Sequence, residues 1–546
     1  MSTIHAVLPV SKKPRRYIEP PCALSVEDAL SQFARPESTF LKTQILRPFS
    51  VYSSTAYSSV MILPIGPAYI AAALDAAGYE VDIIDSQGEG IMGLRSTADG
   101  RHKTQGLTTE EIIQRIDPDA GVLGVSLMFS QEWPLHRELL RQIHAAYPDL
   151  TIIAGGEHST AMPELVLGAG VGIKYVVKGE GEMPFLELVH KLAIGESPQN
   201  VGGLAYLDAD GRLVDNGLSR RVIDIDNLPG PAWHLCNVNA YFSGNWSAGI
   251  GRGRNMPILA TRGCPYQCTF CSNPSMWTMR YLMRDPVKVV DEIEQNISQY
   301  QTNSIDFADL TAVVRTDWIL DFCHELGRRG LNISWQLPSG TRSEALNEDT
   351  LRALLKSGCA FLVFAPESGS QETLDQVRKR LDLDNIVTTV GAAVRVGHTV
   401  KVNYIIGLPE EGRRSIWKTV RQVIQMALKG AHDRNVAIFT PYPGSELYRE
   451  LRSSGEIPDP DDAYFDKLLV QFDFTIVASH CRAVPGWELA IYRFIAMASF
   501  YSLAYLLHPG RIWRVVRQLR GASFQANNLF EQRVHDFLVR RRMGRR

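Results

Sequence analysis

From about residue 55 to residue 200, short apolar runs alternate with stretches whose apolar positions recur every three or four residues. Pro67 to Ala77 has the helical spacing and stops at Gly78. The β-rich run Tyr79-Glu-Val-Asp-Ile-Ile-Asp85 follows at once, an α-to-β step closed by a glycine. Gly121 to Ser126 is a short apolar run suited to a strand buried on both faces, and a helix is expected over Gln131 to Ala146. Leu150 to Ala154 opens into Gly155-Gly156, and Tyr175 to Lys178 opens into Gly179-Glu-Gly-Glu182. Strands alternating with helices in this way predict an α/β fold with a doubly wound parallel sheet, whose ligands lie beyond the carboxyl ends of the strands.

Residues 1–50 show no sustained periodicity and are expected as an extension ahead of a domain at 51–200. Residues 201–255 carry a hairpin signal at Asp208-Ala-Asp-Gly211 and a turn at Leu228-Pro-Gly-Pro231, and suit a linker. The β/α alternation resumes over 256–455, with strands expected near Pro257, Ser304, Asn332, Phe361, Lys401 and Asn435, a pattern that predicts a partial (β/α)6 TIM-like barrel. The last region, 456–546, is mostly helical and becomes basic from Arg511 onward.

A chain of 546 residues is long enough for several cores. Its 45% hydrophobic and 21% charged residues, with a formal net charge of -2, are those of an ordinary globular protein and give no electrostatic case for nucleic acid. The N-terminal stretch is basic but interrupted by Pro14, Pro20 and Pro21, and lacks a secretory apolar core. The apolar stretch Trp487 to Leu507 contains Glu488 and Arg493, which argues against a membrane span, so a cytoplasmic protein is expected.

Eight cysteines are too sparse for a disulfide scaffold, yet three fall within eight residues, in Thr261-Arg-Gly-Cys264-Pro-Tyr-Gln-Cys268-Thr-Phe-Cys271-Ser-Asn-Pro274. Thiolates select iron-sulfur clusters or zinc, and a structural zinc would want a fourth Cys or His nearby, yet none follows within about forty residues. Three thiolates would leave one iron of a 4Fe-4S cluster open. The other cysteines, including Cys22, Cys236, Cys323, Cys359 and Cys481, suit small buried apolar positions.

The C-x-x-x-C-x-x-C spacing, Phe270 before the last cysteine and the Thr-Arg-Gly entry from a strand resemble the radical SAM superfamily. The resemblance implies that the open iron binds the amine and carboxylate of S-adenosylmethionine (SAM), and that cluster reduction cleaves it to a 5'-deoxyadenosyl radical. It also implies SAM contacts at later strand ends. Asp309 is matched to the amine, Arg342 in Ser339-Gly-Thr-Arg342 to the carboxylate, and Glu367 in Pro366-Glu-Ser-Gly369 to the ribose or methionyl part. Asn403 to Glu410 resembles the adenine and ribose strand, and Thr440-Pro-Tyr-Pro-Gly444 the sixth-strand exit.

A doubly wound domain ahead of such a core resembles the cobalamin-binding subgroup, which includes methyltransferases and the anaerobic magnesium-protoporphyrin monomethyl ester cyclase. Ser126, Gly155, Gly156 and Thr160 are the expected lining for the cobalamin tail, because strand-end glycines let backbone amides approach a phosphate. Classical domains supply an axial histidine from D-x-H-x-x-G. Here the loop is Asp85-Ser-Gln-Gly-Glu-Gly90, which fits either cobalamin without a histidine ligand or a domain that has lost cobalamin. His158, the nearest histidine, suits a hydrogen-bonding or surface role.

Arg511, Arg514, Arg517 and Arg520 recur at three-residue spacing, making the C-terminal helix a candidate for peripheral membrane contact or for simple packing on the barrel. These readings point to a cobalamin-dependent enzyme that methylates or cyclises an unactivated carbon of a small-molecule or lipid-like substrate, served by flavodoxin or ferredoxin. A cobalamin-free radical enzyme with a scaffold domain and an iron-sulfur redox sensor are the alternatives. Methylthiolation would need a second cysteine group, which the sequence lacks.

Overall fold

The computed structural model describes residues 25–55, 61–244, 246–471, 473, 478–513, 526, 528 and 530–532. Its first sheet has seven strands: β1 Lys42–Arg47, β2 Val81–Asp85, β3 Ala120–Ser126, β4 Thr151–Gly155, β5 Ile173–Val177, β6 Leu204–Leu207 and β7 Leu213–Asp215. Their order is β7-β6-β5-β4-β3-β1-β2, parallel from β2 through β5 and antiparallel over β6 and β7. The parallel order 2-1-3-4-5 reverses between β1 and β3, which is where such sheets open a ligand crevice.

The sheet starts earlier than its sequence pattern predicts. β1 lies within residues 1–50, and it is central rather than peripheral. Its apolar signal is diluted by Thr43 and Gln44, which are nevertheless buried, Gln44 accepting from the Asp117 amide at 2.8 Å and donating to the Arg115 carbonyl at 3.2 Å. The expected hairpin at Asp208-Ala-Asp-Gly211 is present as β6 and β7.

Helices α1 Ile65–Ala76, α2 Trp133–Ala146, α3 Glu157–Ala161 and α4 Glu182–Ala193 connect these strands. Glu132, at the entry to α2, accepts from the Val51 amide at 3.0 Å and is buried, which pushes its pKa from 4.5 up to about 8. The carboxyl must therefore hold a proton to fold, so its cost is absent below about pH 4.5, grows as pH rises, and levels off above about pH 8. Glu132→Gln keeps the acceptor and loses the cost. Thermal melts should show the variant level with the parent near pH 5 and more stable by about 1–3 kcal/mol near pH 8; a gain of equal size at both pH values contradicts the assignment.

The second sheet consists of β8 Asn255–Ile258, β9 Ser304–Phe307, β10 Ser334–Thr341, β11 Cys359–Glu367, β12 Thr399–Ile406 and β13 Asp433–Ile438. All six run parallel in sequence order. Every strand expected from residue 257 onward is found. α5 Arg413–Leu428 and α6 Gly486–Leu506 pack outside this sheet. One buried cluster joins Leu127, Trp133 and Ala154 of the first unit to Phe439, Tyr448 and Phe465 of the second, so the two sheets share apolar core between them.

The C-terminal region differs from expectation in two respects. The apolar stretch forms one continuous helix, Gly486–Leu506, 21 residues long and, with a mean hydropathy of 1.4 over 18 residues, apolar enough to cross a membrane by length and composition alone. It nevertheless rests on the second sheet, with Arg493 buried and Tyr501 donating to Asp433 at 2.8 Å. Arg511 is also buried, donating to the carbonyls of Gly430 at 2.7 Å and Ala431 at 3.1 Å, whereas Arg514, Arg517 and Arg520 lie outside the described residues.

Candidate functional site

The cysteine loop leaves the carboxyl end of β8 through Thr261–Arg262, which pairs antiparallel with Leu282–Met283. Asp309, at the end of β9, fastens this exit. Its carboxylate accepts from the Ala260 amide at 3.3 Å, from the Thr261 hydroxyl at 2.5 Å and from the Thr261 amide, and burial pushes its pKa up to about 6 against those bonds. Asp309 thus holds the loop's root, a task that the resemblance did not imply. Gly263 has φ +82°, and a Cβ there would lie 2.3 Å from the Arg280 carbonyl, so only glycine makes the turn into Cys264.

Thr269, between the last two cysteines, is tied on both sides: its amide donates to the Val377 carbonyl at 3.1 Å and its carbonyl accepts from the Leu447 amide at 2.9 Å. The Cys264, Cys268 and Cys271 thiols are partly buried. Burial raises all three pKa values, that of Cys271 to about 12, so they ionise readily only against a positive centre such as iron. Among the described residues no three His, Cys, Asp or Glu side chains gather around a single-ion position. Three corners of a cluster need not do so, and the donor set suits iron-sulfur.

Two cations face this loop. The Arg342 guanidinium stacks 3.9 Å from the centroid of the Tyr266 ring, inside the cysteine loop, and donates to Glu344 at 3.1 Å and to the Arg380 carbonyl. Its Nε is buried without a hydrogen-bond partner, which fits a site awaiting a carboxylate. Lys379 is the second, and the sequence reading missed it. Its Nζ lies 3.1 Å from Glu367, both side chains are nearly buried, and its charge acts on Cys264 and Cys268. Glu367, at the end of β11, has φ +65° and Arg378 has φ +54°, so each of the two positions stores backbone strain of about 1–3 kcal/mol, as functional sites often do. Further unpartnered buried oxygens, Thr341 Oγ1, Asn403 Oδ1 and Tyr404 Oη, belong to β10 and β12.

The first unit meets the loop directly. Gly156 has φ +102°, and a Cβ there would clash with the Leu127 carbonyl at 2.6 Å. At Gly155 an added Cβ would touch only the Val177 carbonyl, at 3.8 Å, leaving open space that suits the approach of a ligand. Ser126 is paired with Gly155 across β3 and β4, and both are partly exposed. Thr160 is buried, its hydroxyl accepting from the Gly179 amide at 3.0 Å, so it braces the neighbouring loop. His158 is buried, not on the surface. Its Nδ1 lies 3.0 Å from the Ser130 hydroxyl, and its ring packs against Trp133 and Phe465. Burial pushes its pKa down to about 3, so it stays neutral.

The loop without a histidine is closed. Residues Ser86–Glu89 form a short helix, and Tyr241 donates to Asp85 at 2.7 Å over it. A Cβ at Gly88 would meet both Asp85 and Tyr241 closer than 3 Å.

Glu157 of α3 accepts a hydrogen bond from Ser272, the residue after Cys271, and burial raises its pKa. The Tyr442 hydroxyl accepts from the Ser130 amide at 2.8 Å. Arg262 forms a buried salt bridge with Glu182 at 2.6 Å, and Arg221 chelates Glu180 at 2.9 and 3.0 Å. The Gly-Glu-Gly-Glu turn therefore locks the first unit to the root of the cysteine loop. Residues 201–255, expected as a plain linker, supply both Arg221 and Tyr241.

Residues 56–189 match the B12 binding domain, and residues 258–423 match the Radical SAM superfamily. The chain is 28% identical over 437 residues to the cytidylyl-2-hydroxyethylphosphonate methyltransferase of Streptomyces wedmorensis, covering 74% of this chain and 80% of that one. It is 27% identical over 406 residues to the anaerobic magnesium-protoporphyrin IX monomethyl ester cyclase of Rubrivivax gelatinosus, covering 72% and 67%. Among solved structures, the radical SAM methyltransferase TsrM from Kitasatospora setae, with cobalamin and a [4Fe-4S] cluster bound, aligns with a TM-score of 0.62 at 17% identity over 92% of this chain and all of that one.

Proposed function

We propose that this chain, with its B12 binding domain match followed by a Radical SAM match, is a cobalamin-dependent radical SAM enzyme that methylates or cyclises an unactivated carbon of a small-molecule or lipid-like substrate, with methyl transfer the favoured branch. When bound, the cluster supplies the electron that cleaves SAM and the cobalamin serves as methyl carrier. Cys264, Cys268 and Cys271 hold the cluster and leave one iron open. Arg342 receives the SAM carboxylate through its free Nε–H, and Glu367, oriented by Lys379, faces the ribose or methionyl part. Asp309 and Arg262 position the loop. Ser126, Gly155 and Gly156 would shape the wall for the cobalamin tail, with Thr160 bracing the neighbouring loop.

In this reading the six parallel strands form a partial barrel over about residues 255–455, and the cobalamin unit runs from about residue 42 to residue 200. A flavodoxin or ferredoxin delivers the electron in a reducing cytoplasm. The observation that supports the reading is the Ser272–Glu157 contact, which brings the end of the cysteine loop against the helix that follows the Gly155-Gly156 turn.

Anaerobic reconstitution with iron, sulfide and hydroxocobalamin, then desalting and turnover with SAM and dithionite, tests it. Retained cobalamin together with 5'-deoxyadenosine is expected. SAM cleavage without retained cobalamin would reduce the first unit to a scaffold and overturn the methyl-carrier role.

A further inference from the structure

α5 and α6 lie side by side and run in the same direction. Arg413 at the start of α5 pairs with Glu488 at 2.7 Å, Trp417 packs edge-on against Tyr492 at 5.3 Å, and the carbonyls just past α5 receive Arg511 just past α6. Leu489, Tyr492, Arg493, Ala496, Phe500 and Ala504 face the protein. On the opposite face Trp487, Ile491, Phe494 and Leu506 are bare, with 64%, 47%, 71% and 74% of their surfaces exposed. Only 33% of the helix's most apolar 18-residue window is buried, far less than a core helix needs. Trp417 and Leu428 extend the bare surface onto α5.

The charged side chains that α5 itself carries have one sign. Arg414, Lys418, Arg421 and Lys429 are exposed on or just after α5, and no acidic residue lies between Gly412 and His432. On α6 the one acid, Glu488, is already paired with Arg413. An apolar strip with tryptophans and a cationic border is complementary to the boundary of an anionic bilayer, where indole rings settle at headgroup depth and cations meet lipid phosphates. A second copy of this chain would bring the same cations against themselves.

We propose that the outer face of α5 and α6 docks on an anionic lipid bilayer, with α6 lying in the interface and not crossing it. The buried Arg493 and the Tyr501–Asp433 bond keep the other side of α6 attached to the protein. This docking is independent of the chemistry proposed for the cofactor site.

The full-length reconstituted protein is sedimented with vesicles of phosphatidylcholine alone or mixed with phosphatidylglycerol. Binding is expected to the mixed vesicles and to fall with salt. Trp487→Ser combined with Phe494→Ser should weaken it on the order of tenfold or more. Arg414→Glu combined with Lys418→Glu should weaken it on the order of tenfold to a hundredfold. Both pairs are on the surface, and unchanged cluster content shows that the variants remain folded. No vesicle binding, or equal binding to neutral vesicles, overturns the proposal. Binding unchanged in both variants would assign it to the basic C-terminal sequence instead. A dimer that Trp487→Ser and Phe494→Ser dissociate, without vesicle binding, would show that a second copy covers the face.

Discussion

Cys271→Ala, reconstituted anaerobically beside the parent, should lose the visible thiolate-to-iron absorbance of a 4Fe-4S cluster and fall at least about 10³-fold in SAM cleavage, on the order of 4 kcal/mol of barrier. The three thiols sit on one loop rooted by Asp309 and pinned at Thr269, so each cysteine has a fixed corner. Cys323 and Cys359 are buried in the outer packing of the second sheet, and Cys481 donates to the Glu411 carbonyl at 3.0 Å, so none can substitute. Cys323→Ala is the control and should keep the cluster. Iron and sulfide assays with 5'-deoxyadenosine chromatography check both variants, and a Cys271→Ala protein that retains a full cluster and turns over would refute the ligand assignment.

Arg342→Met should raise the Kd for SAM on the order of a hundredfold while leaving iron content unchanged. The side chain approaches the cluster loop through its stacking on Tyr266, and its buried Nε lacks a partner. Losing charge-assisted hydrogen bonds to a carboxylate in such a place is worth about 3 kcal/mol. Arg342→Lys should recover only part of the affinity, because an ammonium cannot present the planar fork. Equilibrium dialysis with the cluster-loaded protein measures this. An unchanged Kd would return Arg342 to a structural role, bracing the turn at Arg380.

The cysteine spacing and the β/α alternation were legible in the sequence because both are local. Three thiols in eight residues state their chemistry without a fold, and six buried parallel strands announce themselves as apolar runs. β1 was not legible, since its buried Thr43 and Gln44 make a central strand look like polar lead-in. Lys379 was hidden in Arg378-Lys-Arg380, a triplet that resembles a solvated charge run until the strained turn points its middle member at Glu367. Glu180 and Glu182 looked like part of a ligand loop, but their partners Arg262 and Arg221 lie far along the chain, and only the folded arrangement brings them together. The same applies to Asp309, whose bonds to the Ala260 and Thr261 amides join positions far apart in the sequence.

Cys264, Cys268 and Cys271 are proposed to hold a cluster whose fourth iron is open to SAM. Electron paramagnetic resonance of the dithionite-reduced protein, with and without SAM, tests it most directly. The expected result is a reduced 4Fe-4S signal whose g-values shift when SAM is added and no longer shift in Arg342→Met at the same SAM concentration. A signal indifferent to SAM in the parent protein, or a metal content of one zinc per chain, would contradict it.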